Sequence, residues 1–349
     1  MQSCTVSCGP FPLARLALHP YIVGMIIGNL SLSGKVVSAP LANISGSAYR
    51  MTAREHGASL VVSEMISAEG LVRGNHKTLN MLRFRESERP VSIQLFGSTP
   101  SALADACKLV ADRGVDMIDL NFGCPARKIV SKCGGAALLK DLTLTEALLS
   151  AAVKAVDIPL SMKFRSGWDR ESTNFIEVGK LAEDCGVAML TLHPRTKASG
   201  FSGKSDWSKI AELKQQVSIP VVGSGDICEP QDAVNMIEQT GCDLVMIARA
   251  AMGAPWMFGR VDAVLRGLPD PGEPDLQTKI DTCLGFARLL IEDLGERTAS
   301  LRMRKQLTWY TRRWVNISRV RSLMVSVECY DDIVNFFDRY IESSHRQIA

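Results

Sequence analysis

The ten cysteines include neither a CxxC pair nor a cysteine–histidine cluster at zinc spacing, so no metal is expected. They are scattered through strand-like and helix-like segments, which points away from a disulfide framework and towards a reducing, cytoplasmic setting. No run of about 18 consecutive apolar residues occurs, so a membrane-spanning helix is not expected. Leu13 to Ile27 is apolar, but His19, Pro20 and Gly24 interrupt it and no small-residue cleavage site follows, which speaks against a secretory signal. Met25 offers an alternative start, and residues 1–27 are read as an N-terminal extension outside the fold. A strong charge bias is also missing. With a formal net charge of +3, any nucleic-acid surface has to be argued from where the charges lie. Low-complexity tracts are absent too.

The 349 residues, 46% of them hydrophobic, are enough for a barrel of about 250 residues plus a smaller domain. From Val36 onward, short apolar or β-branched runs alternate with longer helix-like segments. The strand candidates are Val36 to Ala39, Leu60 to Val62, Val91 to Leu95, Met117 to Leu120, Leu160 to Phe164, Met189 to His193, Val221 to Gly223 and Leu244 to Ile247. Helix-like segments between them end at Gly114, Gly186 and Gly241, which suit C-caps. This alternation predicts a (β/α)8 TIM barrel over 28–266 in the α/β class. The Pro/Gly-rich segment 267–274 reads as a linker, and 275–349 as a small all-α bundle with helices over Asp275 to Glu292, Thr298 to Trp314, Ser318 to Val327 and Asp331 to Glu342.

A barrel puts its chemistry at the C-terminal ends of its strands, and Glu64, Gln94, Asn121, Cys124, Lys163, His193 and Asp226 fall there. Cys124 follows a break at Asn121-Phe-Gly123 and precedes Pro125, on a loop made basic by Arg127, Lys128 and Lys132 that reads as a lid. A lone cysteine is usually structural; this placement favours a thiol acting as nucleophile or general acid. Lys163 reads either as half of an internal salt bridge or as a cation for an anionic ligand. His193, beside Arg195, is either a satisfied core histidine or a donor to a ligand ring, and Gln94 offers an amide to a heterocycle edge. Ser224-Gly225-Asp226 and Ala248-Arg249 end the last two strands, where barrels often hold phosphate on backbone N–H groups, although Gly-Ser-Gly does not match GxGxxG. From Arg297 to Val327 there is no Asp or Glu, while Arg302, Arg304, Lys305, Arg312, Arg313, Arg319 and Arg321 are present. Such a one-sign stretch suggests a phosphate-backbone surface; Trp309, Tyr310 and Trp314 within it read as core rather than as base-stacking residues.

These residues together resemble the tRNA-dihydrouridine synthase family, and within it the bacterial B-type members. The matching pieces are Ala39-Pro-Leu-Ala42, Ser63-Glu-Met65, Gln94-Leu-Phe-Gly97, Asp119-Leu-Asn-Phe-Gly-Cys-Pro125, Met162-Lys163, His193-Pro-Arg-Thr196, Gly225-Asp-Ile227, Ala251-Met-Gly-Ala-Pro-Trp256 and Arg304-Lys-Gln-Leu-Thr-Trp-Tyr310. The resemblance implies an FMN enzyme that reduces selected tRNA uridines to 5,6-dihydrouridine with NADPH or NADH. It implies that Pro40, Leu41, Ala42 and Gln94 contact the flavin ring, Lys163 and His193 its polar edge, and Ser224, Gly225, Asp226, Ala248 and Arg249 its phosphate. Reduced flavin would deliver hydride to uracil carbon 6 and Cys124 a proton to carbon 5, on a base flipped out of the RNA. Asn121, Arg127, Lys128, Lys132, Arg165 and Arg195 on the barrel, and Arg304, Lys305, Arg312 and Arg313 on the bundle, would contact the tRNA substrate. Four positions depart from the family pattern: Ser224 stands where Asn is usual, Ala248 where Gly is, Pro194 where Gly follows the histidine, and Gln306 where a histidine is common.

Two other readings compete. A flavin barrel acting on a free pyrimidine leaves the basic helical stretch unexplained, and a non-catalytic RNA-binding scaffold leaves Cys124 and Lys163 without a purpose. Purified protein is expected to be yellow; a colourless preparation that takes up no FMN would count against both enzymatic readings.

Overall fold

The computed structural model describes residues 24–345, and the expected extension before residue 24 lies outside the described residues. Eight parallel strands close into a barrel: β1 Val36–Ser38, β2 Leu60–Val62, β3 Val91–Phe96, β4 Met117–Phe122, β5 Leu160–Arg165, β6 Met189–His193, β7 Val221–Ser224 and β8 Leu244–Ile247. β8 pairs with β1, and β2 with β3, so no barrel edge is left open. Helices α1 Ser47–Glu55, α2 Pro100–Ala111, α3 Leu142–Val153, α4 Phe175–Asp184, α5 Ser208–Gln216, α6 Pro230–Thr240 and α7 Met257–Leu265 follow the strands. These are the alternating elements expected from the sequence, and the TIM barrel is what they build.

Alternation along each strand separates two cores. Val36, Val61, Ile93, Ile118 and Phe164 face outward into the strand–helix layer. Val37, Leu60, Val62, Met117, Met189 and Val222 face inward and fill the barrel floor. A β-hairpin of Met25–Ile27 paired with Leu30–Leu32 closes that floor from below, with Ile27 and Leu32 fully buried against the inward set. Met25–Ile27 had been assigned to the extension, but their pairing carries the fold back to Met25. Burying two such aliphatic side chains is worth about 1.5–3 kcal/mol each, ample reason for the hairpin to stay docked.

Above the floor the same inward positions turn polar: Gln94, Asp119, Asn121, Ser161, Lys163, Arg165 and His193. Strand register puts Gln94 beside Asp119 and Asp119 beside Ser161, Asn121 beside Lys163, and Arg165 beside His193. β4 runs on to Phe122. The break expected at Asn121 therefore comes two residues later, because Asn121 and Phe122 still pair with Lys163 and Phe164 of β5.

Beyond Pro274 the chain forms α8 Leu276–Leu294, α9 Glu296–Tyr310 and α10 Tyr330–His345. Their core joins Ile280, Phe286, Met303, Leu307, Phe336 and Phe337. The helix expected over Ser318 to Val327 is instead two 3₁₀ turns, Ile317–Arg319 and Arg321–Ser326. Asn316 is left-handed before the first turn (φ 59°) and Val320 (φ −113°, ψ 0°) separates the two. β-branched Ile317, Val320, Val325 and Val327 add little helix propensity to bridge that break.

The bundle docks on the barrel through shape and charge. Asp293 of α8 accepts from the Ala48 N–H at 3.0 Å and pairs with Arg85 at 2.7 Å. Gly253, after β8, is left-handed (φ 70°), and a Cβ there would collide with the backbone of Trp309 and Tyr310. Gly253→Ala is expected to destabilise the protein by about 2–3 kcal/mol and to loosen the bundle, read as a lower Tm and faster proteolysis between α7 and α8; an unchanged Tm would mean the contact is slack.

Candidate active site

A cavity of about 690 Å³ opens at the C-terminal mouth of the barrel and runs up to the bundle. Its wall includes Pro40, Leu41 and Ala42 after β1, Gln94 of β3, Asn121 and Cys124 at the end of β4, Lys163 and Arg165 of β5 and His193 of β6. Ser224, Gly225 and Asp226 at β7, Ala248 and Arg249 at β8, and Arg312 and Arg313 of the bundle complete it among the expected residues. Arg127, Lys128, Lys132, Arg195, Arg304 and Lys305 do not line it.

One hydrogen-bond chain orders the β3–β5 side. Asp119 accepts from Ser161 Oγ and from Gln94 Nε2, both at 2.6 Å. Gln94 Oε1 accepts from Asn121 Nδ2 at 2.8 Å, and Asn121 Oδ1 accepts from the N–H groups of Gly123 at 3.2 Å and Cys124 at 2.9 Å. Each amide is thereby locked in one orientation. Burial pushes the Asp119 carboxyl up to about 6, against smaller opposing pulls from Ser161, Gln94 and Lys163. Lys163 is drawn down to about 8 by burial and by Arg165, with Asp119 acting the other way, so it is largely charged at neutral pH.

Cys124 is held by its backbone and half-exposed at its thiol. Its carbonyl accepts from the Ala136 N–H at 3.1 Å, and Arg165 Nε donates to the Gly123 carbonyl at 3.0 Å. Burial raises the thiol above its ordinary value, outweighing the Ala126 N–H and the Arg165 charge. Neutral Cys124 thus keeps a proton to give. Arg165 also donates to the Thr196 and Gly200 carbonyls at 2.9 and 2.8 Å, so this residue, expected to meet substrate, spends much of its guanidinium tying the β4 and β6 loops together.

The β6–β8 side is organised by Arg195, which was expected to contact tRNA. It is buried and donates to both carboxylate oxygens of Asp226, at 2.7 and 2.9 Å, and from Nη1 to His193 Nε2 at 3.2 Å. A guanidinium only donates, so Nε2 accepts and the neutral imidazole carries its proton on Nδ1. Burial, then the charges of Lys163, Arg165, Arg195 and Arg249, drive His193 down to about 2. Asp226 also accepts from the Ser205 N–H at 2.7 Å, while Arg249 stands 3.8 Å away. Asp226 is therefore a brace for Arg195 and for the following loop. At Gly225 (φ 122°) a Cβ would run into Ser205 Oγ and the His193 ring. The N–H groups of Gly225, Asp226 and Arg249 donate to no acceptor among the described residues, which suits an oxyanion.

On the bundle, Arg304 Nε donates to the Val327 carbonyl at 2.9 Å, fixing α9 to the 3₁₀ turns, and Lys305 lies 5.0 Å over the Trp309 ring. Gln306 is buried inside the bundle. Of the three aromatics expected in the core, Tyr310 is buried against Phe286 and Trp314 packs on Phe337 and Tyr340, and both, with Trp309, also line the cavity. Sequence reasoning missed Phe201, an exposed ring within 5.5 Å of the Arg165 guanidinium and 5.2 Å of that of Arg249, because a single aromatic in a polar loop carries no periodic signal.

The closed parallel barrel and its polar mouth define a (β/α)8-barrel enzyme whose site suits an anionic ligand with a hydrogen-bonding ring. Residues 37–342 match the family described as "Dihydrouridine synthase (Dus)". The proteins named tRNA-dihydrouridine synthase B are similar over most of the chain. That of Xanthomonas axonopodis pv. citri is 36% identical over 88% of this chain and 92% of its own. That of Pseudomonas aeruginosa is 39% identical over 81% and 86%. Among solved structures, 2-naphthoyl-CoA reductase with 2-naphthoyl-CoA has a TM-score of 0.55 at 13% identity, covering 71% of this chain and 52% of that one. Histamine dehydrogenase from Rhizobium sp. 4-9 has a TM-score of 0.54 at 14% identity, covering 78% and 50%. The chain spans about half the length of these structures, and their likeness concerns the fold alone. The chain belongs to the dihydrouridine synthase family.

Because His193 protonates only near 2, its ring nitrogens should show no titration between pH 5 and pH 8 by NMR, with the proton on Nδ1 throughout. An inflection near the ordinary histidine value of about 6.5 would overturn the Arg195–His193 arrangement.

Proposed function

We propose that the protein reduces uridines of tRNA to 5,6-dihydrouridine in the cytoplasm, using bound FMN and NADPH or NADH. The observation that carries this reading is the meeting of a protonated Cys124 thiol, a half-buried Lys163 and unpaired backbone N–H groups in one cavity that opens onto the cationic bundle.

The residues present fit FMN. Gly225, Asp226 and Arg249 offer free N–H groups, and Arg249 a guanidinium, for the phosphate. Pro40 to Ala42 give a flat apolar strip for a ring, and Lys163 and the His193 Nδ1–H suit its polar edge. Ser224 and Ala248, which replace the family's usual Asn and Gly, leave those N–H groups in place. Pro194 removes one N–H from the β6 loop, but the chain beyond it is held by Arg195 and Arg165. The chemistry that FMN supplies when bound is delivery of a hydride, taken from the nicotinamide nucleotide, to carbon 6 of the pyrimidine.

Everything else is the work of the chain. Cys124 donates the proton to carbon 5, and its raised pKa keeps that proton available at neutral pH. Asn121 fixes the height of the Cys124 backbone, so the thiol meets a base at one place rather than sweeping the mouth. A base inside a duplex cannot reach a barrel mouth, so the uridine enters flipped. Arg312 and Arg313 face the route it takes, and with Arg127, Lys128 and Lys132 on the lid they suit the adjoining phosphates.

Mass-spectrometric mapping of dihydrouridine in tRNA from cells with and without the protein tests the reading; the same content in both would refute it. Cys124→Ala is expected to keep FMN and its reduction by NADPH while slowing uridine reduction by about 10²–10⁴-fold, the range for loss of a general acid. Single-turnover uridine reduction should fall in two stages with rising pH, first at about 8 as Lys163 loses its charge and again above the ordinary thiol value of about 8.5 as Cys124 loses its proton. Only the second stage should vanish in Cys124→Ala, and a variant profile of the same shape as wild type would remove the thiol from that role.

A further inference from the structure

Trp168, in the loop after β5, carries two ammonium groups at its ring. Lys197 Nζ, from the loop after β6, lies 4.1 Å from the ring centroid, and Lys140 Nζ, from the end of the lid after β4, lies 4.7 Å from it. Neither lysine has a carboxylate within salt-bridge distance among the described residues. Asp169, adjacent in the chain, feels the Lys140 charge. Its Oδ1, however, already accepts from the N–H groups of Glu171 and Ser172 and from Ser172 Oγ. Two ammonium groups thus rest on one indole with no carboxylate in pairing distance, and the ring quadrupole compensates their charge only in part. Such an arrangement is completed by an anion.

The three loops are tied together before any ligand arrives. Lys197 N–H donates to the Gly167 carbonyl at 2.9 Å and Ala198 N–H to the Trp168 carbonyl at 2.8 Å. Asn174 Nδ2 donates to the Leu139 carbonyl at 2.7 Å, joining the β5 loop to the end of the lid. A Gly167–Thr173 bridge closes the base of the Trp168 loop. The indole is thus a fixed platform on which the flexible lysines rest.

Position decides what the anion is. In a closed eight-stranded barrel the loops after β4, β5 and β6 stand across the mouth from those after β8 and β1. The bundle rests on that far side, through Gly253, Ala48 and the Arg313–Glu229 contact at 3.5 Å after β7. Exposed Arg127, Lys128 and Lys132 continue the charge of Lys140 along the lid. The mouth therefore has a cationic wall on each side, and a polyanion entering it with one nucleotide in the cavity must leave across the second. We propose that Lys140 and Lys197, held on Trp168, form a second RNA-backbone surface that binds phosphates on the side of the flipped nucleotide opposite the bundle. This rests on the tRNA reading given above and adds Lys140, Lys197 and the Trp168 platform to the barrel-side contacts already given to Arg127, Lys128 and Lys132.

The test is the salt dependence of tRNA binding to the FMN-loaded enzyme, wild type against Lys140→Gln/Lys197→Gln, with NADPH reduction of the bound flavin measured in parallel. Both side chains lie on the surface, so the fold and the flavin reaction should be unchanged. The slope of log K against log salt is expected to become shallower by roughly 1–2, and tRNA affinity near physiological salt to fall by roughly tenfold, as two phosphate contacts are lost. A Trp168→Leu variant should produce a smaller change of the same sign by releasing both lysines. An unchanged slope in the double variant, with wild-type protein binding tRNA, overturns this surface while leaving the tRNA reading intact. An unchanged slope with a raised KM for NADPH also overturns it and assigns the rim to the dinucleotide phosphate. If wild-type protein binds no tRNA, both readings fall together.

Discussion

The buried carboxyl of Asp119 is the point on which the site hangs. It is reached from two neighbouring strands, by Ser161 of β5 and Gln94 of β3, and through Gln94 it orients Asn121 and then the backbone of Cys124. In a low-dielectric interior such a chain is strong because no water competes for its members, and costly to leave incomplete for the same reason. Its last link sets the height of the cysteine loop over the cavity. Lys163, beside Asn121 in register, keeps its charge in part because Asp119 lies beneath it. The layer that positions the thiol is therefore also the layer that makes the cavity receptive to anions.

A second constraint acts on the other half of the mouth. Asp226 holds Arg195, and Arg195 holds His193 in one tautomer. Arg195 takes both oxygens of Asp226, while Arg249 only approaches that carboxylate at 3.8 Å and still faces the cavity with Lys163 and Arg312, so the arginine seen first as a substrate contact is better described as a brace. Arg165 does the same for the β4 and β6 loops by way of backbone carbonyls. The bundle completes the enclosure by direct backbone approach at Gly253, which brings Trp309 and Tyr310 to the cavity wall.

Much of this was legible in the chain. Parallel strands buried on both faces read as short continuous apolar runs, and all eight barrel strands were found where those runs lie. The polar residues ending them, from Gln94 to Asp226, were legible as mouth residues because a barrel places its chemistry at the C-terminal ends of its strands. The segment 318–327 was not, since its apolar spacing of three and four suits either an α-helix or successive 3₁₀ turns, and the left-handed Asn316 decides between them. The partners of Arg165 and Arg195 were hidden as well, because they come from other strands and loops. Trp168, Lys140 and Lys197 lie in three separate loops, and nothing local links them.

The sequence by itself determined the strand order, the polar strand ends and the cysteine at the end of β4, because apolar runs and loop chemistry are properties of a few adjacent residues. The tertiary structure alone decided which charges remain available. An arginine neutralised by an aspartate across two strands cannot bind a phosphate, and one with no such neighbour can. Coulomb energy depends on distances that exist only once the barrel has closed.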